Sequence, residues 1–154
     1  MRHSLTEATR DVATRALQRW GERDLDGTLE LIAEDVVHVL NIDGNLAPFA
    51  KSVAGKADLR PKLQSMLDAL WFEQFDIVSV KALDTCARAL ITIRYRHRQT
   101  GEELATTFRM IMEVTDGLIT LMEEYHDSAY VEAFLRLVSM EQREQTTPAV
   151  DAEK

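Results

Sequence analysis

The chain has 154 residues, of which 45% are apolar, and 26 acidic against 18 basic residues give a formal charge of −8. A chain of this length forms one domain that buries roughly two-thirds of its unfolded surface. The acidic balance argues against a nucleic-acid partner, which would need a clustered basic surface. The single cysteine, Cys86, excludes an intramolecular disulfide. Because no apolar run approaches the ~20 residues of a membrane span and the N-terminus lacks the apolar core of a signal peptide, we expect a cytoplasmic protein without a membrane partner.

The first half of the chain has mostly helical periodicity. A capping-box pattern at Ser4 predicts a helix that ends at Gly21, and Asp24 or Asp26 can cap a short second helix that runs to about Ala33. A strand over 36–42 is followed by a loop over 43–55, which could cover the mouth of a pocket, and by a third helix over 58–70.

The second half changes to the alternating pattern of strands. Four strands are predicted, over residues 75–83, 87–98, 103–115 and 118–125. Turn signals at Thr100-Gly101 and Asp116-Gly117 join the last three strands into an antiparallel meander. A final helix over 128–140 completes the single domain, 1–140, and residues 141–154 have the composition of a disordered polar tail.

This order of elements resembles the nuclear transport factor 2-like fold of the α+β class. In that cone-shaped fold, three N-terminal helices and a short C-terminal helix wrap a curved, mostly antiparallel sheet. Two passages agree with its SnoaL-like members: Arg-Asp-Leu-Asp-Gly at 23–27, and Tyr-His-Asp-Ser-Ala at 125–129. The superfamily includes ketosteroid isomerases, epoxide hydrolases and polyketide cyclases, so the resemblance specifies the fold more narrowly than the function.

The turns also predict which side chains share a face of the sheet. Regular pairing back from Asp116-Gly117 places Met110 opposite Glu123 and Phe108 opposite Tyr125. The same apolar face would hold side chains of the preceding strand, with Ile93 opposite Phe108, and with Ile91, Tyr95 and His97. The opposite face would collect Arg94, Arg96, Arg98, Glu103, Arg109, Glu113, Glu124 and His126. On that face Arg98 would oppose Glu103 and Arg109 would oppose Glu124, which indicates a cross-strand ion ladder on a solvated or dimer-forming surface. The family resemblance implies a homodimer through this outer face.

The predicted site lies on the apolar face at the end of the last strand. Glu123 and Asp127 would point into a cavity, where desolvation raises a carboxyl pKa toward the range useful for acid–base catalysis. His38 would join these catalytic candidates if its face of the first strand is the inner one. The predicted substrate contacts are Tyr125, Tyr95, Phe108, Met110, Trp20 and Leu40. We expect no metal site and no cofactor.

Each catalytic candidate has a structural alternative. Asp127 precedes the last helix and is equally suited to cap it. Glu123 could belong to a buried hydrogen-bond network, and His38 could be a core histidine with its hydrogen bonds satisfied.

The resemblance also bears on the chemistry. Aligned on the passage at 23–27, the acid–base groups of ketosteroid isomerases fall at Leu40, Ala16 and Met110, which argues against steroid isomerisation by that mechanism. Asp127 matches the position of a catalytic aspartate in SnoaL-like cyclases and epoxide hydrolases. The sequence therefore leaves two functions open: acid–base catalysis of an isomerase, cyclase or hydrolase type on a small hydrophobic molecule, or non-catalytic ligand binding or dimeric interaction by the same fold.

Overall fold

The structure is a computed structural model that describes residues 2–146. Its helices are α1 (Arg2–Gly21), α2 (Leu25–Leu29), α3 (Lys56–Ala69) and α4 (Ser128–Thr146), with a 3₁₀ turn at Pro48–Ala50. Its strands are β1 (Ile32–Leu40), β2 (Val53–Ala54), β3 (Leu70–Leu83), β4 (Cys86–His97), β5 (Glu103–Thr115) and β6 (Leu118–Tyr125). Among the described helices, none is both long and apolar enough to cross a membrane.

The six strands form one sheet in the order β2-β1-β6-β5-β4-β3. β3 to β6 pair antiparallel as a meander, while β1 returns to lie parallel to β6. The parallel register places His38 beside Met122 and Leu40 beside Glu124. The predicted α+β class and mostly antiparallel sheet are confirmed, and the β1–β6 pair is the contact that assembles the site.

The passage at 23–27 ties the first three helices together. The Asp24 carboxylate accepts a hydrogen bond from the Gly27 amide at 2.9 Å and so caps α2. Arg23 adopts a left-handed backbone with φ of +64°, which turns the chain sharply after α1. Its guanidinium donates to the carbonyl oxygens of Leu67 and Leu70 at 2.6 and 2.8 Å, where α3 ends.

Several element boundaries differ from the sequence prediction. α1 begins at Arg2, so Ser4 lies inside the helix and does not cap it. β1 begins at Ile32, because the Leu31 carbonyl accepts the Ile119 amide at 2.9 Å and draws the predicted end of the second helix into the sheet. β3 starts directly after α3, and α4 continues beyond the predicted end at 140. Of the predicted tail, residues 141–146 are helical and 147–154 lie outside the described part of the chain.

A β-bulge in β6 overturns the predicted register of the last hairpin. Val114 pairs with Ile119 as expected, but Glu113 pairs with Leu121, so Thr120 is an extra residue on β6. Because side chains alternate with a period of two, one extra residue moves every later side chain of β6 to the other face. The predicted inward orientation of Glu123 and Tyr125 is therefore wrong, and Met122 and Glu124 face the interior instead.

The pairing register between β4 and β5 differs from the predicted one by two residues, so every side chain of these strands keeps its predicted face of the sheet. Ile91 and not Ile93 opposes Phe108, and Arg96 and not Arg98 opposes Glu103. The predicted inner-face side chains of these two strands are all buried: Ile91, Ile93, Tyr95, His97, Phe108 and Met110.

The predicted ion ladder exists on the outer face, with different partners. Arg96 contacts Glu73 at 2.5 Å and Glu103 at 3.2 Å, and Arg94 contacts Glu103 at 3.3 Å. Arg109 opposes Tyr125 and not Glu124, because of the bulge.

Candidate functional site

A cavity of about 80 Å³ lies between the inner face of the sheet and the helices that cover it. The loop over 43–55, predicted to cover a pocket mouth, contributes Phe49 and Ala50 to its lining. Ile42, predicted as the last residue of the first strand, lies after the end of β1 and also lines the cavity. Most of the remaining lining is apolar, with Leu17, Trp20, Leu40, Leu63, Met66, Leu70, Phe75, Ile93, Leu104, Phe108, Met110, Val131, Phe134 and Leu135. Such a lining excludes water and strengthens the interactions of the few polar groups that reach it.

Four charged or imidazole side chains line this apolar cavity and form one connected chain. Lys62 Nζ lies 2.8 Å from His38 Nδ1, and His38 Nε2 lies 2.5 Å from one carboxylate oxygen of Glu124. The other Glu124 oxygen lies 2.9 Å from His126 Nε2. Because a carboxylate only accepts hydrogen bonds, both imidazoles must donate their Nε2–H to Glu124.

Glu124 is the centre of this chain, and its side chain is 14% exposed. Burial by itself raises the pKa of the Glu124 carboxyl. The charge of His38 and the hydrogen bonds from His126 and His38 outweigh that effect, so the pKa lies well below its ordinary range. Glu124 is therefore an ionised carboxylate at neutral pH, suited to orient two imidazoles and to stabilise positive charge on them.

Lys62 enters the cavity from α3. It follows Leu59 by three residues and so lies on the buried stripe of the helix, where it is 5% exposed. Burial lowers the pKa of Lys62 from 10.5 to about 8, although the negative charge of Glu124 acts in the opposite direction.

His126 follows β6 directly, and contacts with Asn41 and Phe108 fix its position. Its backbone N–H and carbonyl both bond the Asn41 side chain, at 2.8 and 3.0 Å, and its ring stacks on Phe108 with 4.5 Å between centroids. Its Nδ1 is buried and makes no hydrogen bond to any residue that the structure describes. With Nε2–H committed to Glu124, the neutral imidazole keeps an unprotonated Nδ1, which is a base in an apolar cavity.

Tyr95 also lines this cavity. Burial raises the pKa of Tyr95 well above its ordinary value, and the charge of Glu124 adds to the rise, whereas a hydrogen bond from Trp20 opposes it. The phenol is therefore protonated at neutral pH and able to donate a hydrogen bond to a ligand oxygen.

Residues 13–122 match the family model of the SnoaL-like domain. The chain belongs to the SnoaL-like family. No curated protein matches it at a significant level.

Solved structures of similar proteins share the fold of this SnoaL-like chain. An NTF2-like protein from Burkholderia xenovorans LB400 is 18% identical, with a TM-score of 0.71, over 82% of this chain and 94% of its own. A putative polyketide cyclase from Xanthomonas campestris pv. campestris is 21% identical, with a TM-score of 0.70, over 85% and 98% of the two chains. An epoxide hydrolase of M. tuberculosis, described as LEH-like, is 19% identical, with a TM-score of 0.69, over 88% and 96%. At these identities the likeness concerns the fold, which is the NTF2-like cone, and the chemistry depends on the residues of this chain.

The predicted site residues of this SnoaL-like protein divide into two groups. Six of them line the cavity: His38, Tyr95, Phe108, Met110, Trp20 and Leu40. Glu123 and Tyr125 lie outside it, where the Tyr125 hydroxyl donates to the Glu123 carboxylate at 2.9 Å and Tyr125 is 45% exposed. Asp127 is also exposed and accepts the Tyr130 amide at 3.3 Å, which is the helix-cap role that the sequence left open.

Three residues of the site were not predicted. The sequence predicts Glu124 and His126 on the outer face, because the turn residues indicate a regular hairpin and the bulge at Thr120 has no clear sequence signal. Lys62 has a signal, since a lysine three residues after Leu59 and four before Met66 interrupts an otherwise apolar stripe. Within residues 2–146, no group of three or more His, Cys, Asp or Glu side chains is arranged to hold a metal ion.

Proposed function

We propose that this SnoaL-like protein performs acid–base catalysis on a small apolar molecule, with His126 as the proton-transferring group. The observation that carries the proposal is the free Nδ1 of His126, which is buried while Nε2 is hydrogen-bonded to the ionised Glu124. A base that is oriented by a second group inside an apolar pocket is the usual arrangement of general base catalysis.

The proposed mechanism uses three groups in sequence. His126 Nδ1 removes a proton from the substrate, or from a water molecule that attacks it. The resulting imidazolium is stabilised by the Glu124 carboxylate, 2.9 Å from Nε2. Tyr95 donates a hydrogen bond to the substrate oxygen on which negative charge develops. These roles fit a molecule that carries a carbonyl or an epoxide.

His38 remains in the proposed site as a positioning residue. Its Nε2–H fixes the second carboxylate oxygen of Glu124 and so holds the carboxylate in place for His126. The catalytic roles first considered for Glu123 and Asp127 pass in this proposal to Glu124 and His126, because the latter two line the cavity.

The size of the cavity limits the substrate. A volume of about 80 Å³ is roughly half that of an apolar protein cavity of about 150 Å³ that binds benzene. A ring-containing substrate would therefore require displacement of lining side chains, and Phe49 is a candidate because it belongs to the loop that covers the cavity. The names of two structural neighbours, a putative polyketide cyclase and an epoxide hydrolase, are compatible with this reaction class.

Turnover of small ketones, epoxides and lactones by matched variants would test the proposal. We expect His126→Gln and Glu124→Gln to lower kcat by about 10²- to 10⁴-fold, the usual contribution of general acid–base catalysis. Asp127→Asn and Glu123→Gln are the controls, since both side chains lie outside the cavity. Full activity in His126→Gln, or an equal loss in Asp127→Asn, would refute the assignment.

Ligand binding without chemistry is the second candidate, favoured by the small size and apolar lining of the cavity. In that case a small apolar ligand would quench the fluorescence of Trp20, which lines the cavity, but none of the screened compounds would be turned over.

We also propose that the protein forms a homodimer through the outer face of the sheet. That face carries the ladder of Arg94, Arg96 and Glu103, and large apolar side chains are exposed nearby on β3 and β6, with Val78 57% and Tyr125 45% exposed. Light scattering coupled to size exclusion at raised salt tests this, and a strict monomer at micromolar concentration would contradict it.

A further inference from the structure

Glu124, His38 and Lys62 form a second functional arrangement within the same cavity. The Glu124 carboxylate holds His38 at Nε2, 2.5 Å away, and His38 Nδ1 lies 2.8 Å from the Lys62 amine. A carboxylate that orients an imidazole, which in turn contacts a nucleophile, is the arrangement by which proteins activate weak nucleophiles. Here the group at the end of the chain is an amine.

The contact between His38 and Lys62 restricts their protonation. An imidazolium Nδ1–H and an ammonium are both donors, so a hydrogen bond of 2.8 Å requires one of the two nitrogens to lack its proton. One proton is therefore shared between the two side chains. When it lies on His38, the imidazolium is paired with the Glu124 carboxylate and Lys62 is a neutral amine.

The position of Lys62 also suits a nucleophile. It lines the cavity together with the apolar side chains of Leu63 and Met66, and Tyr95 lines the same cavity. We propose that the Lys62 amine captures small aldehydes or ketones in this cavity as a Schiff base, with His38 Nδ1 first donating and then accepting the proton that is transferred.

The proposed step is redox-neutral and releases water. The Lys62 nitrogen forms a bond to the carbonyl carbon, and the π electron pair moves to the oxygen, which takes the shared proton from the His38 imidazolium to give an N-protonated carbinolamine. The nitrogen then gives a proton back to the neutral His38 Nδ1. That proton passes to the oxygen, the C–O bond breaks, water leaves, and a protonated C=N bond remains. Tyr95 donates a hydrogen bond to the oxygen during the attack.

The pKa of Lys62 supports this reactivity. Burial lowers it to about 8 from the ordinary 10.5. At pH 7 the fraction of free amine is therefore about 300-fold larger than for an exposed lysine. The inference does not require that the acid–base function proposed above be correct, because imine formation is measured without turnover.

Reductive trapping tests the proposal in the full-length protein. The protein is incubated with propanal and cyanoborohydride at pH 7, and each modified lysine is identified by peptide mapping. We expect Lys62 to be alkylated at least about ten-fold faster than Lys81, which is exposed on β3. Labelling of Lys62 should increase with pH to a plateau above about 8, the pKa of its amine.

Two comparisons separate the reactivity of the site from that of any lysine. Lys62→Met should abolish the fast phase, whereas Lys81→Met should retain it. In urea, wild-type Lys62 should lose its preference, because the cavity and the contact with His38 no longer exist. Labelling of native Lys62 no faster than Lys81, or a preference that persists in urea, would overturn the proposal without bearing on the role of His126.

Discussion

Replacement of Glu124 by glutamine gives the most direct test of the site, because the adjacent Glu123 provides a matched control. Both residues belong to β6, but Glu124 accepts hydrogen bonds from two buried imidazoles, whereas Glu123 bonds the exposed Tyr125. A glutamine at 124 keeps one oxygen that can accept a hydrogen bond from one imidazole. Its NH₂ group would face the N–H of the other imidazole, so that hydrogen bond is lost. Since a hydrogen bond to a charged group contributes about 1.5–3 kcal/mol, we expect Glu124→Gln to lower the free energy of unfolding by about 2–4 kcal/mol at pH 7.

The dependence of this loss on pH follows from the lowered pKa of Glu124. Above the ordinary carboxyl pKa of 4.5, both the folded and the unfolded wild type are ionised, and the stabilisation is complete. Below it, the unfolded chain takes up the proton first. The advantage of the wild type over Glu124→Gln should therefore shrink as the pH falls below 4.5, by at most about 1.4 kcal/mol per pH unit for one proton.

Urea unfolding of the wild type and both variants between pH 7 and pH 3 measures these differences. Glu123→Gln should change the stability by no more than ~0.5 kcal/mol, as is usual for surface positions. If Glu123→Gln proved the more destabilising variant, the bulge at Thr120 and the inward position of Glu124 would both be refuted. A constant difference across the pH range would refute the lowered pKa.

Three further changes test other parts of the structure. The pKa of Lys62 is lowered to about 8, so between pH 8 and 10.5 the unfolded chain binds more protons than the folded protein. The free energy of unfolding of the wild type, measured with urea relative to Lys62→Met, should therefore rise by about 3 kcal/mol over that range. Asp24→Ala removes the cap of α2 and should lower the free energy of unfolding by about 1 kcal/mol, measured by chemical unfolding. Asp26→Ala is its control and should have a smaller effect, because Asp26 forms only an exposed ion pair. Arg23→Ala removes two hydrogen bonds to the end of α3 and should lower the stability by about 2 kcal/mol in thermal unfolding. Arg15→Ala is its control and should have little effect, because it removes only an exposed ion pair within α1.

The fold could be predicted because its signals are local. The helices and strands follow from hydrophobic periodicity, and the turns at Asp116-Gly117 and around Gly101 follow from residues that tolerate positive φ: Asp116 and the two glycines adopt it. The bounds of β5 and β6 agree with the prediction to the residue. β1 was predicted less well, because its first residues are placed by pairing with β6 and not by their own periodicity.

The candidate site could be predicted in much of its apolar part, but only His38 and Tyr95 among its polar residues were predicted. Trp20, Leu40, Phe108 and Met110 belong to faces that alternation fixes within each strand or helix, and all of them line the cavity. The choice between the two faces of β1 remained open in the sequence, and the parallel contact with β6 decided it in favour of His38.

The sequence by itself determined the family, the order of the elements and the segment that ends in the site, because composition, periodicity and turn residues act over short distances along the chain. The tertiary structure alone decided which acid faces the cavity. One extra residue, Thr120, exchanges Glu123 for Glu124 and brings His126 inward, since the faces of a strand alternate with every residue. It also decided the chemistry of that acid, because His38 on β1 and Lys62 on α3 are far from Glu124 in the chain, and only the fold brings His38 to Glu124 and Lys62 to His38.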